Sequence, residues 1–144
     1  MATNLQLFLK GNKKEKANTT YKATKSLCDE HGNALDWEIK PLSTRDNDRI
    51  RESCTKEIPI TGKPGMYREK LDTSKYIAKM ICASVVFPDL FDKDLQDSYG
   101  VKTPEDLIVE MVDNPNEYND FATFIQEYNG FTEVFSDKVD TAKN

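Results

Sequence analysis

Hydrophobic and polar positions change their rhythm about halfway along the chain. In the front half, Leu35, Trp37 and Ile39 alternate with Asp36, Glu38 and Lys40, the two-residue period of a strand with one buried face. Preceded by Asp29-Glu30-His31-Gly32-Asn33, a segment suited to a turn, this predicts a β-hairpin over 21–42 that Pro41 ends. Ser43 and Asp46 have capping-box spacing and open a charged helix over 43–56, with Ile50 and Cys54 as a narrow apolar seam. Pro59, Gly62, Pro64 and Gly65 mark residues 58–71 as a loop leading to a short strand around Met66 to Leu71.

From Asp72 the period lengthens. Tyr76, Ile77, Met80, Ile81 and Ser84/Val85 recur at three- and four-residue intervals and predict a helix that ends before Pro88. A short helix over 92–99 is stopped by Gly100. Thr103-Pro104-Glu105-Asp106 starts the next helix, with a capping hydroxyl, proline in the first turn and acids at the positive dipole end. Leu107, Ile108, Met111 and Val112 are its inner face. Asn114-Pro115 starts the last helix, whose stripe of Tyr118, Phe121, Ile125 and Tyr128 closes at Asn129-Gly130. The order is α+β: an N-terminal hairpin or small antiparallel sheet, then a helical C-terminal half. Residues 21–131 read as one domain, between an N-terminal segment 1–20 and a C-terminal tail 132–144 that are both expected to be flexible.

Composition narrows the function rather than the fold. A chain of 144 residues can bury roughly two-thirds of its unfolded surface and needs no staples. Residues 1–72 carry 14 Lys/Arg against 11 Asp/Glu, whereas residues 73–144 carry 6 against 14, so the net charge of −5 is concentrated in the rear. This balance argues against nucleic acid as partner. Three cysteines, Cys28, Cys54 and Cys82, form no disulfide rhythm and point to a reducing compartment. Leu5, Leu7, Phe8 and Leu9 are too short an apolar run for a signal peptide, and no stretch reaches membrane-spanning length.

No residue set points to catalysis. The one histidine, His31, sits in the predicted turn and could serve a base only from solvent. Cys28-x-x-His31 supplies one close ligand pair where structural zinc sites have two, so no metal and no cofactor is expected. Asp89, Asp92, Asp94 and Asp97 lack the donor spacing of a calcium loop. Thr61-Gly62-Lys63-Pro64-Gly65 lacks that of a phosphate loop. What remains is apolar surface for a protein partner, with Phe124, off the main stripe of the last helix, and Phe131, Val134 and Phe135 as candidates.

Several elements together resemble the XkdN-like phage tail assembly chaperones. They are Leu95-Gln96-Asp97-Ser98-Tyr99-Gly100, Thr103-Pro104-Glu105-Asp106-Leu107 with Met111, Pro115-Asn116-Glu117-Tyr118, and Asn129-Gly130-Phe131. In the front half, Trp37-Glu38-Ile39-Lys40-Pro41-Leu42-Ser43 and Arg49-Ile50-Arg51 follow the same pattern. Asn116 departs from it, standing where the family pattern has glycine before the Glu-Tyr pair. The resemblance implies a non-catalytic protein of the bacterial host cytoplasm that binds the tape measure protein, with the tail tube protein as a second partner. It implies absence from the mature virion. The alternative is a structural tail, connector or portal-associated component of the particle.

Overall fold

A computed structural model describes residues 4–131. Its elements are β1 (Thr19–Tyr21), β2 (Trp37–Ile39), α1 (Thr44–Ser53), β3 (Thr55–Pro59), β4 (Tyr67–Leu71), α2 (Thr73–Ser84), β5 (Val85–Phe87), α3 (Lys93–Ser98), α4 (Pro104–Met111) and α5 (Pro115–Tyr128). Two 3-10 turns, Leu5–Phe8 and Lys10–Asn12, precede them. Small antiparallel sheets in the front and helices in the rear give the α+β layout that the change of period predicts. The expectation for residues 132–144 lies outside the described residues.

A hairpin forms, but its first arm starts earlier than the expected 21–42: β1 pairs with β2, Tyr21 opposite Trp37 and Thr19 opposite Ile39, so Thr19 and Thr20 of the N-terminal segment belong to the sheet. Its connection is long and carries its own turn. Asp29 Oδ1 accepts the backbone N–H groups of His31 and Asn33, both at 2.9 Å, and Gly32 takes the left-handed φ of +83°. Leu35 departs from the expected alternation. It precedes the strand and stays 43% exposed, while Trp37 and Ile39 point into the core.

Two further departures concern strands. The helix expected to run through Val85 stops at Ser84, and Val85–Phe87 turns extended to join the far side of β2, giving the order β1-β2-β5. Two β-branched residues and an aromatic suit an extended edge, and β2 offers the unpaired backbone groups there. The second departure is β3, which occupies residues read as a helix end and a loop. It pairs with β4 in register Thr55 to Leu71 through Pro59 to Tyr67. Its signal is hidden because Thr55 and Ile58, its two partly buried residues, are three apart and flank Lys56 and Glu57, so no two-residue alternation of polarity exists to be read. Like charges face each other across this ladder, Lys56 opposite Lys70 and Glu57 opposite Glu69, so backbone bonds hold it against side-chain repulsion.

The helix starts are as their caps predict. Ser43 and Asp46 make a reciprocal capping box on α1, and Asp72, Asp92, Thr103 and Asn114 cap α2, α3, α4 and α5. The core lies between the three-stranded sheet and helices α2, α4 and α5. Trp37, Ile39, Tyr76, Met80, Ile81, Leu107, Ile108, Phe121 and Ile125 are all essentially inaccessible.

Candidate partner-binding surface

Phe124 is where the sequence places apolar surface for a partner, and its ring is engaged within the fold. It stacks on Tyr21 with ring centroids 4.3 Å apart and on Tyr128 at 5.8 Å, continuing a series in which Tyr21 stacks on Phe121 and Phe121 meets Trp37 edge-on. Phe124 is half-buried as a result. Burial of Tyr21 in this stack, with Asp120 and Glu117 nearby, raises its pKa. Phe131 is also half-buried and lines a shallow depression with Leu42 and Asn129. Val134 and Phe135 lie outside the described residues.

The elements that carry the family resemblance prove to be mostly structural. Glu117 Oε1 accepts the Thr24 hydroxyl at 2.7 Å and its Oε2 accepts the Lys25 backbone N–H at 2.9 Å, fastening the start of α5 to the segment after β1. These hydrogen bonds hold the Glu117 carboxyl below its ordinary pKa. Its neighbour Tyr118 is pushed up to about 12, mainly by burial. Asn129 joins three elements: its Oδ1 accepts the Leu42 N–H at 2.6 Å, and its Nδ2 donates to Ile125 O at 2.9 Å and Ser84 Oγ at 3.3 Å.

Apolar side chains do reach solvent elsewhere. Leu90 is fully buried, so the next residue must turn away; Phe91 is 67% exposed. The turn is held on both sides: Asp89 Oδ1 accepts the Phe91 N–H at 3.0 Å, and Gln96 Nε2 donates to the Leu90 carbonyl at 2.8 Å. Gln96 belongs to the Gln-Asp-Ser-Tyr-Gly element, which thereby sets the position of an exposed ring. Phe91 borders an open trough of about 280 Å³ lined by Ile50 of α1, Cys82 and Ala83 of α2, and Pro104 of α4. Arg49 and a Lys79–Glu105 ion pair, 3.5 Å apart, also line it.

The trough was not legible in the sequence. Its residues come from three helices and a loop, and each obeys its local pattern; only Phe91, an aromatic set among Asp89, Asp92 and Asp94, stands out of place. The ligand set weighed for zinc is not brought together: Cys28 is exposed while Cys54 and Cys82 are buried, and among the described residues no group of three His, Cys, Asp or Glu could hold a metal ion. His31 lies in an exposed turn, its side chain 77% accessible. Among the described residues no helix is long and apolar enough to cross a membrane.

Known proteins are similar to this chain in sequence, and one solved structure is similar in fold. The profile of the family described as phage XkdN-like tail assembly chaperone protein matches residues 5–143. The phage-like element PBSX protein XkdN of Bacillus subtilis strain 168 is 26% identical over 141 residues, covering 98% of this chain and 94% of its own length. The uncharacterised protein YqbN of the same strain is 24% identical, covering 98% and 93%. The crystal structure of YqbN superposes with a TM-score of 0.74 at 20% identity, covering 91% of this chain and 99% of that one.

Proposed function

Since the chain belongs to the XkdN-like phage tail assembly chaperones, we propose that it keeps the tape measure protein soluble by seating that protein's amphipathic helices in the Phe91 trough. A long tape measure protein exposes apolar helical stripes until the tail tube encloses them. An apolar trough on a body with net negative charge suits such a stripe: the trough covers it, and the charge keeps the complex dispersed. The observation that carries this reading is the exposed Phe91 ring beside Ile50, Ala83 and Pro104. Phe124 and Phe131 are a secondary seat, since their rings are half-buried against the fold.

The action needs no covalent chemistry, only binding and release. The tail tube subunit is the proposed second partner, and the host cytoplasm the proposed site of action, with release before the tail matures.

Co-expression with the cognate tape measure protein tests the reading. The wild-type chain is expected to hold that protein in the soluble fraction, and Phe91→Asp to lose most of the effect. Unchanged solubility with Phe91→Asp would remove the trough as the seat. Stoichiometric recovery of the chain from purified tails would instead favour a structural tail component.

A further inference from the structure

The ribbon of β3 and β4 stands away from the body. It is anchored at its base, where the Asp72 N–H donates to the Cys54 carbonyl at 2.8 Å and Leu71 packs against the core. Beyond Leu71, only Thr55 and Ile58 of its strand residues are even partly covered. A two-stranded ribbon with both faces in solvent is marginally stable by itself. This one also sets lysine opposite lysine and glutamate opposite glutamate, which weakens it further.

That pairing sorts charge by face. Opposite residues of an antiparallel ladder share a face, and the faces alternate along each strand. Lys56, Lys70, Ile58 and Arg68 therefore lie on one face, and Glu57, Glu69, Pro59 and Tyr67 on the other. Ile60, whose N–H donates to the Met66 carbonyl at 3.0 Å, carries the first face on toward the turn. Three cations without an acid thus sit beside Ile58, Ile60 and the 54% exposed Met66. Among the described residues none of these cations makes an ion pair.

The opposite character lies on the outer side of α4. Asp106, Val109, Glu110 and Asp113 are exposed at helical spacing, with Val109 43% accessible between the carboxylates. Asp113 continues into an open depression of about 720 Å³ whose charged lining is Asp113, Glu117 and Asp120 against Lys25. Residues 103–131 contain no Lys or Arg. Among the described residues Asp106, Glu110, Asp113 and Asp120 have no ion-pair partner.

We propose that the cationic face of the β3–β4 ribbon docks on the acidic α4 surface of a second copy of this chain. Lys56, Arg68 and Lys70 would meet Asp106, Glu110 and Asp113, and the Ile58, Ile60 and Met66 side chains would cover Val109. The like-charge ladder then has a use: it gathers the cations on one face at the expense of the ribbon's own stability. Ribbon and helix are different surfaces, so the contact is head-to-tail. It leaves the Phe91 trough free and does not depend on what the trough binds.

Light scattering on the full chain without client, over a range of concentrations, measures it. At low salt the wild type is expected at twice or more the monomer mass of 16.5 kDa at high concentration. It should fall toward the monomer on dilution, or when salt is raised to about 0.5 M. Lys70→Glu should weaken association about tenfold or more. Because it sets opposite charges across from each other on the ladder, its Tm should be no lower than that of the wild type, which separates lost docking from lost folding. Glu110→Lys with Asp113→Lys, on the exposed side of α4, should also dissociate. A chain that combines Arg68→Glu and Lys70→Glu with these two should associate again, its charges being exchanged. Phe91→Asp should associate like the wild type.

A wild type that is monomeric at every concentration in low salt would overturn the proposal, even if duplex DNA or anionic vesicles retained it. So would a Lys70→Glu chain with wild-type mass, or a charge-exchanged chain that stays monomeric. Dissociation by Phe91→Asp would overturn it too, by moving the contact to the trough. Loss of client solubility with Phe91→Asp in a monomeric wild type would leave the client reading standing and sink this one.

Discussion

Asn129 links the three-element corner at which the helical half meets the sheet, and replacing it by alanine tests how the two halves are joined. Its side chain makes three hydrogen bonds, to Leu42 N, Ile125 O and Ser84 Oγ, at 2.6, 2.9 and 3.3 Å. A typical bond contributes about 1 kcal/mol net, and the long one to Ser84 about half that. Leaving the Leu42 N–H without its acceptor adds a desolvation cost, at the low end of about 1 kcal/mol because the site is half-buried and water can enter. Backbone effects are small, since Asn129 has a φ of −86° that alanine adopts freely. Asn129→Ala should therefore cost about 3–4 kcal/mol, or about 9–16 °C in Tm for a domain of this size. Urea unfolding followed by far-ultraviolet circular dichroism for the helices, and by the fluorescence of Trp37 for the sheet, measures the loss with both probes. Asn129→Asp retains an acceptor for Leu42 but sets a negative charge against Ile125 O at the C-terminal end of α5, so it should be no better than alanine at neutral pH. A loss below about 0.5 kcal/mol in Asn129→Ala would refute the idea that these bonds join the halves.

Two predictions concern titration and thiols. Glu117 has a folded pKa below its unfolded value, so the unfolded chain binds more protons as the solution is acidified. Its contribution is present above the unfolded pKa and is lost as pH falls through the folded one; Glu117→Gln should flatten the acid limb of stability against pH below roughly pH 5, and an unchanged limb would contradict the role given to its two hydrogen bonds. Among the thiols, Cys28 is exposed, Cys54 is buried, and burial pushes Cys82 up to about 12. A maleimide or disulfide reagent should label one thiol quickly and the other two only on unfolding, read by mass spectrometry; fast labelling of Cys82 would mean that the trough opens into the core.

What the sequence determined alone was the helices, the strand at Trp37–Ile39 and the order of the two halves. Capping side chains and the apolar stripes of α2, α4 and α5 are encoded within a few residues of the elements they specify, so Ser43, Asp72, Thr103, Asn114 and the buried Leu107, Ile108, Phe121 and Ile125 could be read directly. The family resemblance was legible for the same reason, being carried by short elements such as Gln96 to Gly100. Tertiary structure alone decided the rest. Whether Val85–Phe87 continues a helix or becomes a strand depends on the free edge of β2, far away in sequence. Whether Phe124 faces a partner or a neighbour depends on Tyr21 lying across from it. The trough exists only because three helices and the Phe91 turn converge, each obeying its own pattern. Local rules act through backbone geometry and nearest neighbours, whereas a surface that receives another chain is made by residues that meet only after the core has closed.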